Sequence, residues 1–573
     1  MLLSLLLVFT LCLNLYGVFT VKKKQGQVLF LENATMAIMG CMGIVVFTSA
    51  LLRLVHLPLT KISMFLVLLL SGCLLLFADK KLGKQDVLFR KRDLFYVLIL
   101  GLGICAYAYI YFTPGLRLHF ISSDAGRHFS YAYNILTEGK TDLNMYYAAM
   151  NQSLAMMIFE PFVSGWGEVK VFVLMVVFDL FLAGLLIYAL IARYIQTAKD
   201  YVAGVLLCTL YVLGYPLYAV QFGFVYFEAA VLIIAFIIFV ARDYLKEASI
   251  VTLVLLNIEL FALMVCYTYF VPVIYVSLFI AIFFQRKKEE KSLFQIALEE
   301  IKVFLVPFCL GMYFSFANLG EISKNGNGGI RQDGGCYTDL FSNFIWLLPL
   351  AILGFYLLWK KKEALLPSFL VINVLFTVVL FFFAMKKEVS PYYYFKEYNV
   401  LWLLLFLLFF AGFVSLKKEA ALVGAVILLI PVACFFEFRL EPKVNAVNER
   451  YINVSAGSFI NIYCFNYNII HESVPMSDDV MAYFEQVKTN YSDGNCFVIG
   501  NEAEAAWFEA YTGEENSMVY GDEDSLQEEI SSNHYDYICV MPSDLALTCE
   551  EYLLSLGEVV YNGNAGYIIR VAK

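Results

Sequence analysis

The chain has 573 residues, of which 61% are hydrophobic and 16% are charged, and its mean hydropathy is +0.73. A water-soluble chain is about 45–50% apolar and about 25% charged. The composition therefore excludes a soluble globular protein and a disordered one. We expect a polytopic membrane protein whose excess of apolar residues is dissolved in the lipid bilayer.

Charge is distributed unevenly along the chain. Residues 1–436 contain 34 Lys and Arg against 26 Asp and Glu, whereas residues 437–573 contain 6 against 23. The two parts carry net charges of +8 and −17, which together give the −9 of the whole chain. This shift predicts a membrane domain over 1–436 and a separate soluble domain over 437–573. Nucleic acid is excluded as a partner, because phosphate binding needs clustered Lys and Arg.

The apolar runs predict an all-α membrane domain of about fourteen transmembrane helices. A helix needs about 20 mainly apolar residues to cross the hydrocarbon core. The eighth and ninth predicted spans form one apolar stretch that is interrupted at 267–272, where Pro272 breaks the helix. The predicted spans are 2–20, 34–51, 62–78, 94–113, 169–191, 202–219, 228–241, 250–267, 270–284, 302–318, 340–358, 365–384, 399–415 and 420–436.

The loops between these spans alternate in basic content. Loops on one side hold 23 Lys and Arg and those on the other side hold 11, and Lys and Arg prefer the cytoplasmic side. Both ends of the chain are therefore expected to be extracytoplasmic, in a plasma membrane that we expect to be bacterial. The first span has no basic residue before it and three lysines after it, which indicates an uncleaved anchor rather than a signal peptide. The large outer features are the loop 114–168 and the tail.

The tail alternates helix-like and strand-like stretches. It ends in two strand-like runs on either side of a turn rich in Asn and Gly. This order predicts a small extracytoplasmic α/β domain. Its strands are not followed by a Gly-rich phosphate fingerprint, so we expect a recognition or structural module there.

The segment 121–140, ISSDAGRHFSYAYNILTEGK, carries the strongest group of candidate functional residues. Two serines at its start and Gly139 at its end predict a short helix. Asp124, Arg127, His128 and Tyr131 then share one helical face, which would bring an acid, two potential cations and a phenol to one outer surface. Asp124 lies in the first turn, where the helix dipole favours a carboxylate that can accept a proton. The alternative is that Asp124 caps the helix and that the arginine and histidine are solvated at the interface.

Two further outer segments hold candidate substrate-binding residues. In 385–399, Tyr392 and Lys396 share a helical face, and Lys396 runs against the charge bias of the outer side, so it is a candidate ligand for a phosphate. The tyrosines there also fit an interfacial aromatic belt. Arg331 lies in the Gly-rich stretch 324–335, which is expected to be either a mobile loop over the site or a connector.

Three polar residues lie deep inside predicted spans, namely Asp179, Asn257 and Glu259. Buried carboxylates in a bilayer are costly and mark functional sites by default. They are candidates for pairing with a neighbouring helix, for binding an ion or for relaying a proton, and the sequence leaves these alternatives open.

The sequence resembles the GT-C superfamily of membrane glycosyltransferases. The resemblance rests on the many spans, on the acid in SSDAGRHF early in a large outer loop, on amphipathic stretches such as 144–162, and on the extracytoplasmic α/β tail. Members usually carry the catalytic aspartate after their first span, often in an acidic pair. Here Asp124 follows the fourth span and its neighbour is Ala125, so the first three spans would be an N-terminal addition.

The resemblance implies transfer of a sugar from a polyprenyl-phosphate-linked donor to an outer-face glycan, lipid or protein, with inversion at the anomeric carbon. Asp124 would be the base, and Lys396, Arg127 and Arg331 would stabilise the phosphate. His128 would contact the acceptor. We expect no cofactor and no metal, although some relatives use divalent cations, because the nearest further acid in this loop is Asp142.

Two other classes of function remain open. A transporter or flippase for a lipid-linked saccharide would use Asp179 and Glu259 for ion coupling and the break at Pro272 for alternating access. A non-catalytic envelope assembly protein would use the acidic tail to bind a partner.

Overall fold

The structure is a computed structural model, and it describes residues 1–139, 149–163, 166–324, 345–417, 421–437, 476–491, 493–513 and 516–572. Within these residues the chain is a multi-pass membrane protein: ten helices are long and apolar enough to cross a bilayer, and three shorter apolar helices accompany them. A small α/β domain follows near the C-terminus. The predicted fold class is confirmed.

The helices of the membrane part occupy the predicted positions. The ten candidate spans include α1 (Leu2–Thr20), α2 (Phe30–Leu54), α3 (Lys61–Leu82), α4 (Lys91–Tyr111), α7 (Gly167–Ile191), α8 (Ala198–Leu213), α10 (Val225–Lys246), α12 (Val271–Lys288), α15 (Leu365–Met385) and α16 (Pro391–Val414), and α13 (Leu293–Lys324) is a further long helix. The shorter ones are α5 (Asp124–Glu138), α6 (Ala149–Phe159), α9 (Tyr215–Phe222), α11 (Ile250–Cys266), α14 (Leu348–Lys360) and α17 (Ala421–Glu437).

Two breaks in the apolar runs have clear local causes. The long stretch at 250–284 ends one helix at Cys266, passes through one 3₁₀ turn and starts the next helix with Pro272 in its first turn, where a missing N–H costs nothing. The predicted span 202–219 is not one straight helix: it breaks at Gly214, and α9 follows with Pro216 in its first turn. A Cβ at Gly214 would lie 2.5 Å from the Trp402 ring, so the break lets the tryptophan approach the backbone.

The second of the three N-terminal helices is part of the bundle rather than a peripheral addition. Helix α2 is mostly buried and packs against α6, α7, α10 and α11. Arg193, which follows the C-terminal end of α7, forms ion pairs with Glu32 of α2 at 2.7 Å and with Asp243 of α10 at 2.9 Å. Arg242 also reaches Glu32, at 3.3 Å. Glu32 and Asp243 are thus both paired with arginine, and this attraction offsets part of the cost of burying their charges.

The tail folds into one five-stranded sheet with helices between its strands. The strand order is β4-β3-β5-β7-β6, in which β3 is parallel to both neighbours and β7 is antiparallel to both of its own. The strands are β3 (Cys496–Ile499), β4 (Ser517–Met518), β5 (Tyr537–Val540), β6 (Gly557–Gly563) and β7 (Gly566–Val571); β1 (Val28–Leu29) and β2 (Val87–Leu88) pair in the membrane part. The helices are α18 (Asp478–Asn490), α19 (Glu502–Thr512), α20 (Glu523–Ser532), α21 (Asp544–Thr548) and α22 (Glu550–Ser555).

Candidate functional site

The helix that was predicted over the SSDAGRHF segment forms as α5. It ends at Gly139, which adopts the left-handed conformation with φ of 66°, as glycine does most readily. The apolar residues Phe129, Ala132 and Ile135 are fully buried on one side of it. Asp124 is half-buried in the first turn.

One side of α5 rests on the turn between α9 and α10. Gly223 has φ of +73°, and a Cβ there would lie 2.4 Å from the Cβ of Ala125. The carbonyl oxygens of this turn hold the helix start, because His128 Nδ1 lies 3.1 Å from the Gly223 oxygen and Ser122 donates to the Phe222 oxygen. Ala125 therefore packs directly against this turn, which leaves little room for a larger side chain.

The other side of α5 is covered by α19 of the tail. A Cβ on Gly126 would lie 2.9 Å from the carbonyl carbon of Ala506, so the two backbones are in direct contact. The ring of Phe129 packs 5.3 Å from that of Trp507. Ser123 was predicted to cap the helix, but its hydroxyl instead donates a 2.9 Å hydrogen bond to the carboxylate of Glu502. Helix α5 is therefore held between the membrane domain and the tail.

Lys396 reaches the same region from the first turns of α16. Its side chain is buried, with 9% exposed, and its Nζ lies 4.0 Å from the ring centroid of Tyr392, 5.0 Å from that of Tyr393 and 5.3 Å from that of Tyr267. Three aromatic faces thus surround the ammonium group. The predicted common face of Tyr392 and Lys396 is confirmed.

Asp124 and Lys396 interact electrostatically across the site. Neither forms an ion pair within 4 Å with any residue that the structure describes. The two side chains therefore interact electrostatically without forming a direct ion pair. An acid and a cation held in this way can act on two different groups of one substrate complex.

His128 was expected to be a potential cation, and the structure corrects this. Burial lowers the pKa of His128 to about 4, even though the nearby Asp124 carboxylate acts in the opposite direction. The imidazole is therefore neutral at neutral pH. Because a carbonyl only accepts, Nδ1 carries the proton and donates to the Gly223 oxygen, which leaves Nε2 as an acceptor.

The other candidate substrate-binding residues lie around α5 or outside the described part of the chain. Arg127 is exposed on α5 and influences His128 electrostatically. Tyr131 lies with its ring 6.2 Å from the ring of Tyr226 in α10, and that tyrosine donates to the carbonyl oxygen of His128 at 2.9 Å. Arg331 and Asp142 lie outside the residues that the structure describes.

Several residues at the site carried little signal in the sequence. Gly223 is one of many glycines in the chain, and its role depends on a contact with Ala125 almost 100 positions earlier. Glu502 is one of many acids of the tail, and nothing local distinguishes it from the others. Tyr267 is the first residue of the interruption at 267–272. This interruption of the apolar stretch is a weak indication of a site there.

The fold and the site define a multi-pass membrane protein whose C-terminal α/β domain covers a helix with a half-buried acid, and this acid interacts electrostatically with a buried lysine. No known family and no curated protein matches the chain. It is similar to two solved structures of ArnT from Cupriavidus metallidurans, in the apo state and bound to undecaprenyl phosphate.

The identities are 13% and 12%, the TM-scores are 0.48 and 0.46, and each match covers 83% of this chain and 97% of the other. The likeness is remote, so the chemistry of the site has to be inferred from its own contacts.

Proposed function

We propose that the protein is a membrane glycosyltransferase of the GT-C type. It moves a sugar from a polyprenyl-phosphate-linked donor to a cell-envelope glycan, lipid or protein on the outer face of the membrane. The observation that carries this proposal is that the half-buried Asp124 carboxylate interacts electrostatically with the buried ammonium of Lys396 while the two form no ion pair within 4 Å. The transfer needs one group that accepts a proton and another that stabilises a leaving phosphate.

Asp124 is the base in this proposal. It takes the proton of the acceptor hydroxyl while the oxygen of that hydroxyl forms a bond to the anomeric carbon. Asp124 lies in the first turn of α5, close to the turn between α9 and α10 that holds the start of this helix. The neutral His128, one turn along the same helix, offers its Nε2 as a hydrogen-bond acceptor to a second hydroxyl of the acceptor.

Lys396 holds the phosphate of the donor. As the bond between the anomeric carbon and the phosphate oxygen breaks, the bonding electrons move to that oxygen and negative charge grows on the phosphate. A cation placed there stabilises the transition state more than the ground state. An inverting transfer has the incoming and the leaving oxygen on opposite faces of the sugar, so the base and the cation of this proposal act on opposite sides of the anomeric carbon. Tyr392 keeps the ammonium in place.

Mass spectrometry of lipid-linked sugars and envelope glycans in a deletion strain tests the proposal. The strain is complemented with the wild type, with Asp124→Asn or with Glu138→Gln, an exposed acid at the far end of α5. We expect polyprenyl-phosphate sugar to accumulate, with a sugar missing from an outer glycan, in the empty strain and with Asp124→Asn. The Glu138→Gln variant should restore the wild-type pattern. Restoration by a folded Asp124→Asn protein would refute the proposal.

A transporter for a lipid-linked saccharide is the second candidate function. It is supported by Asp179, Glu228 and Glu259, three carboxyl groups with at most 3% exposure inside the helix bundle. If the protein is such a transporter, the deletion strain should accumulate completed lipid-linked saccharide on the inner leaflet. Glu259→Gln would then fail in the same strain where Asp124→Asn restores the glycan.

A further inference from the structure

A small cavity with four polar residues in a mainly apolar lining lies inside the helix bundle, apart from the site on α5. It has a volume of about 30 Å³ and is enclosed by α2, α6, α7, α10 and α11. Its polar lining consists of Asn151 and Gln152 of α6, Asp179 of α7 and Glu259 of α11. One water molecule needs about 10–15 Å³ of such space, so the cavity has room for one or two occupants of that size.

The carboxyl groups around this cavity have no compensating cation. Asp179 is 3% exposed and Glu259 is 1% exposed, and Glu228, which interacts electrostatically with Asp179, is 2% exposed. Among the described residues, no Lys, Arg or His side chain forms an ion pair with any of the three. An unpaired buried carboxylate costs several kcal/mol, in contrast to the paired Glu32 and Asp243 of the same bundle.

Unpartnered oxygen atoms are a second, independent indication of a ligand. Gln152 is 2% exposed, and its side-chain oxygen, which lines the cavity, makes no hydrogen bond within the described residues. The same is true of Oε1 of Glu259. Buried polar atoms are normally satisfied, so these two oxygens mark positions at which something else binds.

We propose that this cavity binds a small monovalent cation, with Asp179, Glu259 and the amide oxygen of Gln152 as its ligands. Hard cations prefer carboxylate and carbonyl oxygens. A single bound cation is coordinated by several oxygens at once and removes one negative charge, whereas a water molecule removes no charge and a proton bonds to only one or two of these oxygens. A magnesium ion does not fit, because it retains several of its own waters.

Helix α2 sets the shape of this site. A Cβ on Gly43 would lie 2.1 Å from Oε1 of Glu259, so the carboxylate rests directly on the glycine backbone. Helix α2 therefore closes one side of the cavity. Gly43→Ala would displace the Glu259 carboxylate without altering any charge.

Thermal unfolding of the purified full chain tests the proposal, with choline chloride replaced stepwise by NaCl, KCl or LiCl at constant ionic strength. A ligand that binds only the folded state raises the midpoint in proportion to the logarithm of its concentration above its dissociation constant. We expect a rise of a few degrees with one of the three cations. The rise should be absent in Glu259→Gln and much smaller in Gly43→Ala.

Glu300→Gln is the matched control, because Glu300 is also a buried carboxyl with an unpartnered oxygen but lies in a different groove, between α12 and α13. It should keep the full rise. Equal midpoints in all four salts would overturn the proposal and indicate that the carboxyl groups are protonated. A rise of the midpoint that persists in Glu259→Gln would also overturn it. Should both cavity variants fail to fold, equilibrium binding of radioactive sodium, potassium or rubidium ions to the wild type decides: about one bound ion per chain supports the site, and none refutes it.

Discussion

The hydroxyl of Ser123 donates a 2.9 Å hydrogen bond to the carboxylate of Glu502, although the two residues lie in different domains. Ser123 immediately precedes Asp124, the proposed base. The tail therefore acts on the geometry of the site through the start of α5. Tyr520 donates to the other oxygen of the same carboxylate at 3.2 Å, which fixes its orientation.

We predict that Glu502→Ala lowers the turnover number about 10- to 100-fold, because loss of this contact lets the start of α5 shift relative to the substrate. Glu502 acts through Ser123 and is a positioning residue, so the affinity for polyprenyl phosphate should stay unchanged. Steady-state transfer assays together with lipid-binding measurements separate the two quantities. Glu528→Ala, an exposed acid of the same tail, is the control for charge. Equal losses in both variants would show that the overall charge of the tail matters rather than this contact.

We predict that Gly223→Ala destabilises the protein by about 1–3 kcal/mol, as expected for overpacking at a tight contact, and also lowers activity. The new methyl group would collide with Ala125 and push α5 away from the membrane domain. Gly513→Ala is a matched control, since Gly513 has φ of +84° and a Cβ added there would meet nothing within 4 Å. It measures backbone strain without a collision. Thermal unfolding and transfer assays on both variants check the prediction, which fails if Gly513→Ala reduces activity as much as Gly223→Ala.

Stability should depend on pH through His128. Its pKa is about 4 in the folded protein against an ordinary value of 6.5, so between these values the unfolded chain binds a proton that the folded chain does not. The stabilising contribution is complete above pH 6.5 and is lost as the pH falls from 6.5 towards 4. Thermal unfolding across this range should therefore show a shallower acid slope in His128→Gln than in the wild type. The exposed His534 provides the control, His534→Gln, whose slope should match the wild type; an unaltered slope in His128→Gln would contradict the expectation.

The sequence predicts the elements well because their signals are local. Apolar runs of sufficient length determine the membrane helices, the motif around Asp124 is helical as expected, and Gly139 ends that helix. The alternation in the tail likewise gives its helices and strands in the right order. Pairing of Tyr392 with Lys396 follows from their spacing of four residues on one helix.

The contacts that the sequence does not predict are long-range. Serine is a residue type that often caps helices, but the hydroxyl of Ser123 donates to a carboxylate of the tail instead of capping α5. His128 looks like a cation until burial by Gly223 and Tyr226 makes it neutral. Helix α2 looks like part of an appended anchor, and only packing shows that Gly43 supports Glu259 in the centre of the bundle. Each of these depends on residues far apart in the chain, which periodicity and composition do not encode.

The division of labour between Asp124 and Lys396 is tested most directly by measuring polyprenyl phosphate binding and sugar transfer on the same purified variants in nanodiscs. We expect Asp124→Asn to bind polyprenyl phosphate like the wild type and to lose about 10²- to 10⁴-fold in turnover, as for removal of a general base. Lys396→Met should weaken that binding and also lower turnover, by about 10²- to 10³-fold, whereas Lys387→Met, at an exposed lysine nearby, should change neither. Normal turnover in Asp124→Asn, or unchanged phosphate binding in Lys396→Met, would contradict the account.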